Sequence, residues 1–250
     1  MFEKDLNKIL EIRKSIEDIH PLFEKLYPIA VYDQGLLYIY NVEGSRYFLS
    51  KVVDAPEWIP EEVLAAFPLQ ENNGKMTCVV YSGVFGSISE LVSVFHEFVH
   101  CYQFETCEQE LKSQLSISRR YMETGKYDWE LTHNFPYENR DFVKTYREFL
   151  TSSRASLEEI KRIRRILREI LGREDFEYMV WQEWKEGFAR YIENLVRVKL
   201  GLKEVHTVLK EPYDRTIFYE GGSRIIAVLV RKNPELHYDI KKLFYEIRGL

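Results

Sequence analysis

The 250-residue chain lacks the marks of export, of membrane spanning and of nucleic-acid binding. Its first twenty residues, MFEKDLNKILEIRKSIEDIH, interleave charges with apolar residues, whereas a secretory signal needs an uninterrupted apolar stretch, so no export signal is expected. No run of about 18 apolar residues is present, so no membrane span is expected either. Lys and Arg number 35 against 40 Asp and Glu, a formal net charge of -5, which leaves no basic footprint for nucleic acid or anionic lipid. Cysteine is scarce: Cys78, Cys101 and Cys107 make neither a paired framework nor a CxxC knuckle, which argues against a disulfide scaffold and fits a reducing, cytoplasmic setting. Hydrophobic residues make up 45% of the chain, ample for the core of one large domain or two small ones.

Residues 3–27 carry an apolar stripe, Leu6, Ile9, Leu10, Ile12, Ile16 and Ile19, that predicts one or two helices interrupted at Pro21. From Ala30 to Val53 two β-rich runs flank Glu43 and Gly44 and predict a hairpin. Pro56–Leu69 reads as a short helix and loop, and Met76–Tyr81 as a strand whose edge could be open to an extended peptide. Glu108–Met122 keeps helical spacing, and Tyr127–Phe142 reads as a loop packed by its own aromatic side chains. Ser156–Leu171 is an amphipathic helix capped by Ser156 and Glu159, its Lys161, Arg162, Arg164, Arg165 and Arg168 expected on a wet face. A long helix is expected from Arg173 to Leu200, with Glu183 an exposed acid; an apolar segment follows Gly221 and Gly222, and Pro234–Arg248 closes the chain as a helix.

The chemistry concentrates in Ser87–Glu105, SISELVSVFHEFVHCYQFE, where His96, Glu97 and His100 stand in the order HExxH. Ser87 and Glu90 form a capping-box pattern, and Leu91, Val92, Phe95, Phe98, Val99 and Tyr102 recur at helical spacing. A helix turns about 100° per residue, so the two histidines lie about 40° apart on one face, within reach of one metal ion. Glu97 beside them is placed to take a proton from metal-activated water. Cys101 is turned about 100° from His100 and is expected to be a packed thiol, not a ligand. His133 is expected to be a loop histidine away from any metal, and His206 a surface loop histidine with no part in stabilising an oxyanion.

A catalytic zinc has three protein ligands and an open position, so two histidines require a partner. The continuation HExxHxxGxxH fails at Gln103 and Thr106, and Glu105 lies about 140° round the helix from His100. The downstream element EGFARYIE, Glu186–Glu193, together with HEFVH, resembles the gluzincin metallopeptidases that carry an EGxAxYxE element; the residues between the two motifs are unmatched. The resemblance implies a Zn2+ cofactor held by His96, His100 and Glu186, with Glu97 as general base. It also implies an oxyanion role for Tyr219, which stands shortly before Gly222 as the family's tyrosine stands before a glycine. Small Gly187 and Ala189 are expected to let the helix of Glu186 approach that of the histidines closely. Tyr191 and Glu193 are expected either to orient a ligand by hydrogen bonds or to be ordinary packed residues.

Together these readings predict one α+β, zincin-like domain spanning residues 1–250. Residues 1–105 would form a lobe with a small sheet and helices, and residues 106–250 a mainly helical lobe. The expected function is zinc-dependent hydrolysis of peptide or protein substrates, with hydrolysis of a non-peptide amide, or a non-catalytic scaffold with a vestigial site, as the alternatives.

Overall fold

A computed structural model describes residues 1–152 and 156–250. The architecture is α+β: a five-stranded mixed sheet in the N-terminal part and a mostly helical C-terminal part. The chain divides into two compact units, Met1–Thr106 with Ile192–Glu204, and Cys107–Tyr191 with Val205–Leu250. The first change of unit lies one residue beyond the expected lobe boundary, but a later stretch returns to the first unit. Among the described residues no helix is long and apolar enough to cross a membrane.

In the first unit, α1 (Glu3–Ile16) buries Leu6, Ile9 and Ile16, and the chain then makes a 3-10 turn that begins at Pro21. Strands β1 (Ile29–Asp33), β2 (Leu36–Glu43) and β3 (Arg46–Asp54) follow as an antiparallel meander. Gln34 and Gly35 turn the chain between β1 and β2 with positive φ at both residues, the conformation a tight hairpin demands. Strand β4 (Leu64–Leu69) pairs antiparallel with β5 (Lys75–Tyr81), which itself runs parallel to β1, giving the order β3-β2-β1-β5-β4.

Two expectations change here. Pro56–Leu69 contains a strand, and that strand takes the edge position, so Met76–Tyr81 is an interior strand with no free edge. Burial gives the reason: Thr77, Cys78, Val79 and Val80 are all buried, which requires cover on both faces and partners on both sides. Pro68 explains the edge. The bond from Tyr81 N to Val63 O makes every second residue from 63 onward a bonded partner of β5, so Pro68, opposite Met76, has its nitrogen turned outward, where no ladder donor is needed.

One face of the sheet is closed by the segment after β3: Ile59 and Val63 pack with Ala30, Leu37, Ile39, Leu69 and Val79. The other face carries α2 (Ile88–Gln103), which packs on β4 and β5, with Cys78 Sγ 4.0 Å from the Val94 carbonyl oxygen. A π-helical turn, Phe104–Glu108, follows α2 directly.

The second unit contains α3 (Gln109–Ser113), α4 (Ser116–Glu123), α5 (Trp129–Thr132), α6 (Arg140–Thr151) and α7 (Leu157–Ile170). The first part of α8 (Arg173–Lys199), α9 (Ile217–Lys232) and α10 (Ile240–Gly249) complete it. Its core is aromatic: Phe135 meets Phe142 and Phe218, and Trp181 and Trp184 meet Phe244. Within Tyr127–Phe142, Phe135 packs on Phe142, as expected of a segment packed by its own rings, but the segment is not all loop: it holds α5 and the first turn of α6.

Helix α9 runs straight through Gly221 and Gly222, because α8 crosses it there. A Cβ on Gly187 would lie 2.5 Å from the Gly222 Cα, and one on Gly222 only 2.0 Å from the Glu183 carbonyl oxygen. The smallness of Gly187 therefore serves contact with α9, a correction to its expected use. Glu183 is also corrected: it is buried, 2.7 Å from Arg164 Nη2, and accepts a hydrogen bond from Tyr146 Oη at 2.7 Å. Arg164 is accordingly a buried member of α7, not part of its wet face.

Candidate metal centre

The start of α2 is fixed as its sequence predicts. Ser87 Oγ accepts from Glu90 N at 3.1 Å and donates to the Glu90 carboxylate at 2.9 Å, a reciprocal cap of the kind whose loss costs about 1 kcal/mol. From that start the helical repeat sets His100 one turn beyond the adjacent pair His96 and Glu97, all three buried. Each offers a ligand atom, and these atoms lie within 4.8 Å of one another, a group that could hold a metal ion.

The hydrogen bonds behind the imidazoles set their chemistry. His96 Nδ1 lies 3.0 Å from Glu193 Oε2, and His100 Nδ1 lies 3.0 Å from Gln103 Oε1. Both oxygens only accept, so each Nδ1 donates, and in the neutral ring the Nε2 then carries the lone pair a metal requires. Glu193 is itself backed by Arg197, whose Nη1 lies 3.9 Å from Glu193 Oε1. Arg197 in turn is anchored by its bonds to the Ser89 carbonyl and hydroxyl oxygens and to the Lys203 carbonyl. All of these groups belong to the first unit, because Ile192–Glu204 belongs to it.

Of the two readings open for Glu193, the orienting one is what its bond to His96 describes. The sequence reading assigns no partner role to Gln103 or Arg197, although spacing offers a signal. Gln103 stands three residues after His100 and Arg197 four after Glu193, both on the same face of their helix as the partner.

Glu186 and Tyr219 both lie in the second unit. Glu186, on α8, is buried and has Arg215 Nη1 3.9 Å from its Oε1. Tyr219 stands in the first turn of α9 with the Arg190 guanidinium 5.6 Å from its ring centroid. Burial works to lower the pKa of Arg215, but Tyr219 and Glu186 outweigh it and hold the guanidinium above its usual value. Both predicted residues thus share Arg215 as a charged neighbour, a residue in an irregular segment that no spacing rule points to.

Of the remaining candidates, Cys101 and His133 are packed side chains, whereas His206 is an exposed loop residue, as expected. Cys101 is fully buried, and burial pushes its thiol well up, as it does for Cys78. His133 bonds through Nε2 to Asp175 at 2.7 Å, and His206 faces the Glu220 carboxylate at 3.3 Å. No family model, curated protein or solved structure matches the chain.

Proposed function

We propose that this protein is a zinc metallopeptidase. The observation that carries the reading is the buried His96–Glu97–His100 group, in which Glu193 and Gln103 fix both imidazoles in the tautomer that presents Nε2. Two neutral imidazole nitrogens suit zinc by ligand type, the neighbouring Glu97 carboxylate suits a general base, and a second layer of hydrogen bonds is what metal-binding histidines ordinarily require.

Zinc, when bound, supplies a Lewis acid that polarises a carbonyl and makes water acidic near neutral pH. His96 and His100 hold it. Glu97 takes the proton of the attacking water and passes it to the leaving amine. We assign the third ligand to Glu186. It belongs to the EGxAxYxE element, is buried, and precedes Glu193 by seven residues, two turns on the same face of α8. Tyr219, a phenol beside Arg190 and Arg215, is assigned to the developing oxyanion. The substrate is a peptide or protein.

Metal analysis and peptide-library cleavage test the reading together. The purified protein should carry about one zinc per chain; Glu97→Gln should keep it and lose cleavage, and Glu186→Gln should lose the metal. Active Glu97→Gln protein would sink the mechanism. Failure to take up zinc would favour a scaffold with a vestigial site.

A further inference from the structure

Between the end of α7 and the start of α8, the second unit has a cavity of about 360 Å³, at the small end of the range for ligand pockets. Its floor is apolar, built from the buried side chains of Leu115, Leu171, Phe176 and Val180. Its rim is cationic, built from Arg168, Arg173 and Arg248. One carboxylate lines it, and that carboxylate is already engaged. Glu177 accepts from Ser116 Oγ at 2.6 Å and from Ile117 N at 3.1 Å, and Arg173 Nε stands 3.5 Å away.

Of the three arginines at the mouth, Arg173 faces Glu177, whereas Arg168 and Arg248 are held without counter-charge. Arg168 lies over Phe176, 4.3 Å from the ring centroid, and its Nη2 donates to the Arg248 carbonyl oxygen at 2.8 Å. Arg164 lies 5.7 Å from the centroid of the same ring, and its carboxylate partner is Glu183. Glu183 and Glu177 are thus taken by Arg164 and Arg173, and among the described residues Arg168 and Arg248 make no ion pair. Burial, and then repulsion from Arg164 and Arg248, lowers the pKa of Arg168. Like charges gathered over an apolar floor leave a place for an anion that carries a hydrocarbon body.

We propose that this cavity binds an amphipathic carboxylate: a short acyl chain, or an apolar residue ending in a free carboxylate, with its body on Phe176, Leu171 and Val180 and its head between Arg168 and Arg248. Planar guanidinium forks match a carboxylate in two parallel bonds, and the apolar floor selects against small inorganic anions. The site lies wholly within the second unit and uses none of the residues assigned to the metal centre.

The test is titration of the full chain, followed by NMR and calorimetry, with octanoate and N-acetylleucine as probes and octanol and octylammonium as controls. At least one carboxylate should bind with one-to-one stoichiometry and shift the Phe176 ring resonances; whichever binds more tightly identifies the source as acyl or amino-acid. Octanol should bind roughly tenfold or more weakly, as loss of charged hydrogen bonds requires, and octylammonium should not bind. An Arg168→Gln/Arg248→Gln double variant should weaken the carboxylate by a similar factor without lowering the melting temperature of the free protein. Equal binding of octanol and octanoate, an unchanged double variant, resonance shifts that spare Phe176, or no carboxylate binding at about 1 mM would each overturn the proposal. If the double variant does not fold, the Phe176 shifts and the octanol comparison decide alone.

Discussion

At the scale of single residues the candidate metal centre depends on side chains that would touch no metal. Glu193 bonds His96 Nδ1 within the first unit, and Arg197 holds Glu193 from behind. Glu193→Ala should therefore weaken zinc binding by about 10–100-fold, measured by competition with a chromogenic chelator, while leaving the far-UV spectrum unchanged. A second prediction concerns the buried pair Arg164–Glu183. Arg164→Met would leave a carboxylate buried with only Tyr146 to satisfy it, and should cost about 3–5 kcal/mol in urea denaturation. Acid stability provides a third. Burial works to raise the Glu130 carboxyl, but Lys185 and Lys112, both in ion pairs with it, outweigh burial and bring it down to about 2. A carboxyl lowered on folding stabilises fully above its unfolded pKa of about 4.5, and this contribution is lost as pH falls from there toward about 2. Glu130→Gln should flatten that limb of the stability–pH curve. The residues that could be read in advance are those set by local spacing, namely Ser87, His96, Glu97 and His100. Glu183 could not, because a helix of this length is buried on different faces along its course, and only the position of α7 decides that Glu183 meets Arg164.

Elements were legible where their signals were local. The Ser87 and Ser156 caps fix the starts of α2 and α7, and the β2–β3 hairpin turns at Gly44 and Ser45, one residue beyond the expected Glu43–Gly44. They were not legible where tertiary contact overrides propensity. In β4, Ala65, Ala66 and Pro68 are all poor strand formers, and only pairing with β5 makes them a strand. In α9 a Gly-Gly pair, usually a break, is tolerated because α8 needs the space. Gly222→Ala tests this: its Cβ would meet backbone, which cannot rotate away, so the loss should reach about 3 kcal/mol, the upper part of the range for overpacking, by thermal or urea unfolding. Gly125→Ala, at a position with open space around it but a positive φ, should cost clearly less.

For the whole molecule, chain order and compact unit do not coincide, since the chain leaves the first unit at Thr106 and re-enters it at Ile192. A fragment of residues 1–106 would keep HExxH but lose Glu193 and Arg197. It should bind zinc at least about tenfold more weakly than the full chain in the same chelator assay. The sheet has a further consequence for how these molecules meet one another. An uncapped sheet edge is a template on which a second chain can add and polymerise. The outward positions of β4 are Leu64, Ala66 and Pro68, and the last has no hydrogen to give. An incoming strand would find two donors and then a gap, too short a run to propagate. Pro68 thereby acts as a gatekeeper, and Pro68→Val should raise the tendency to form fibrils on mild heating, read by thioflavin fluorescence.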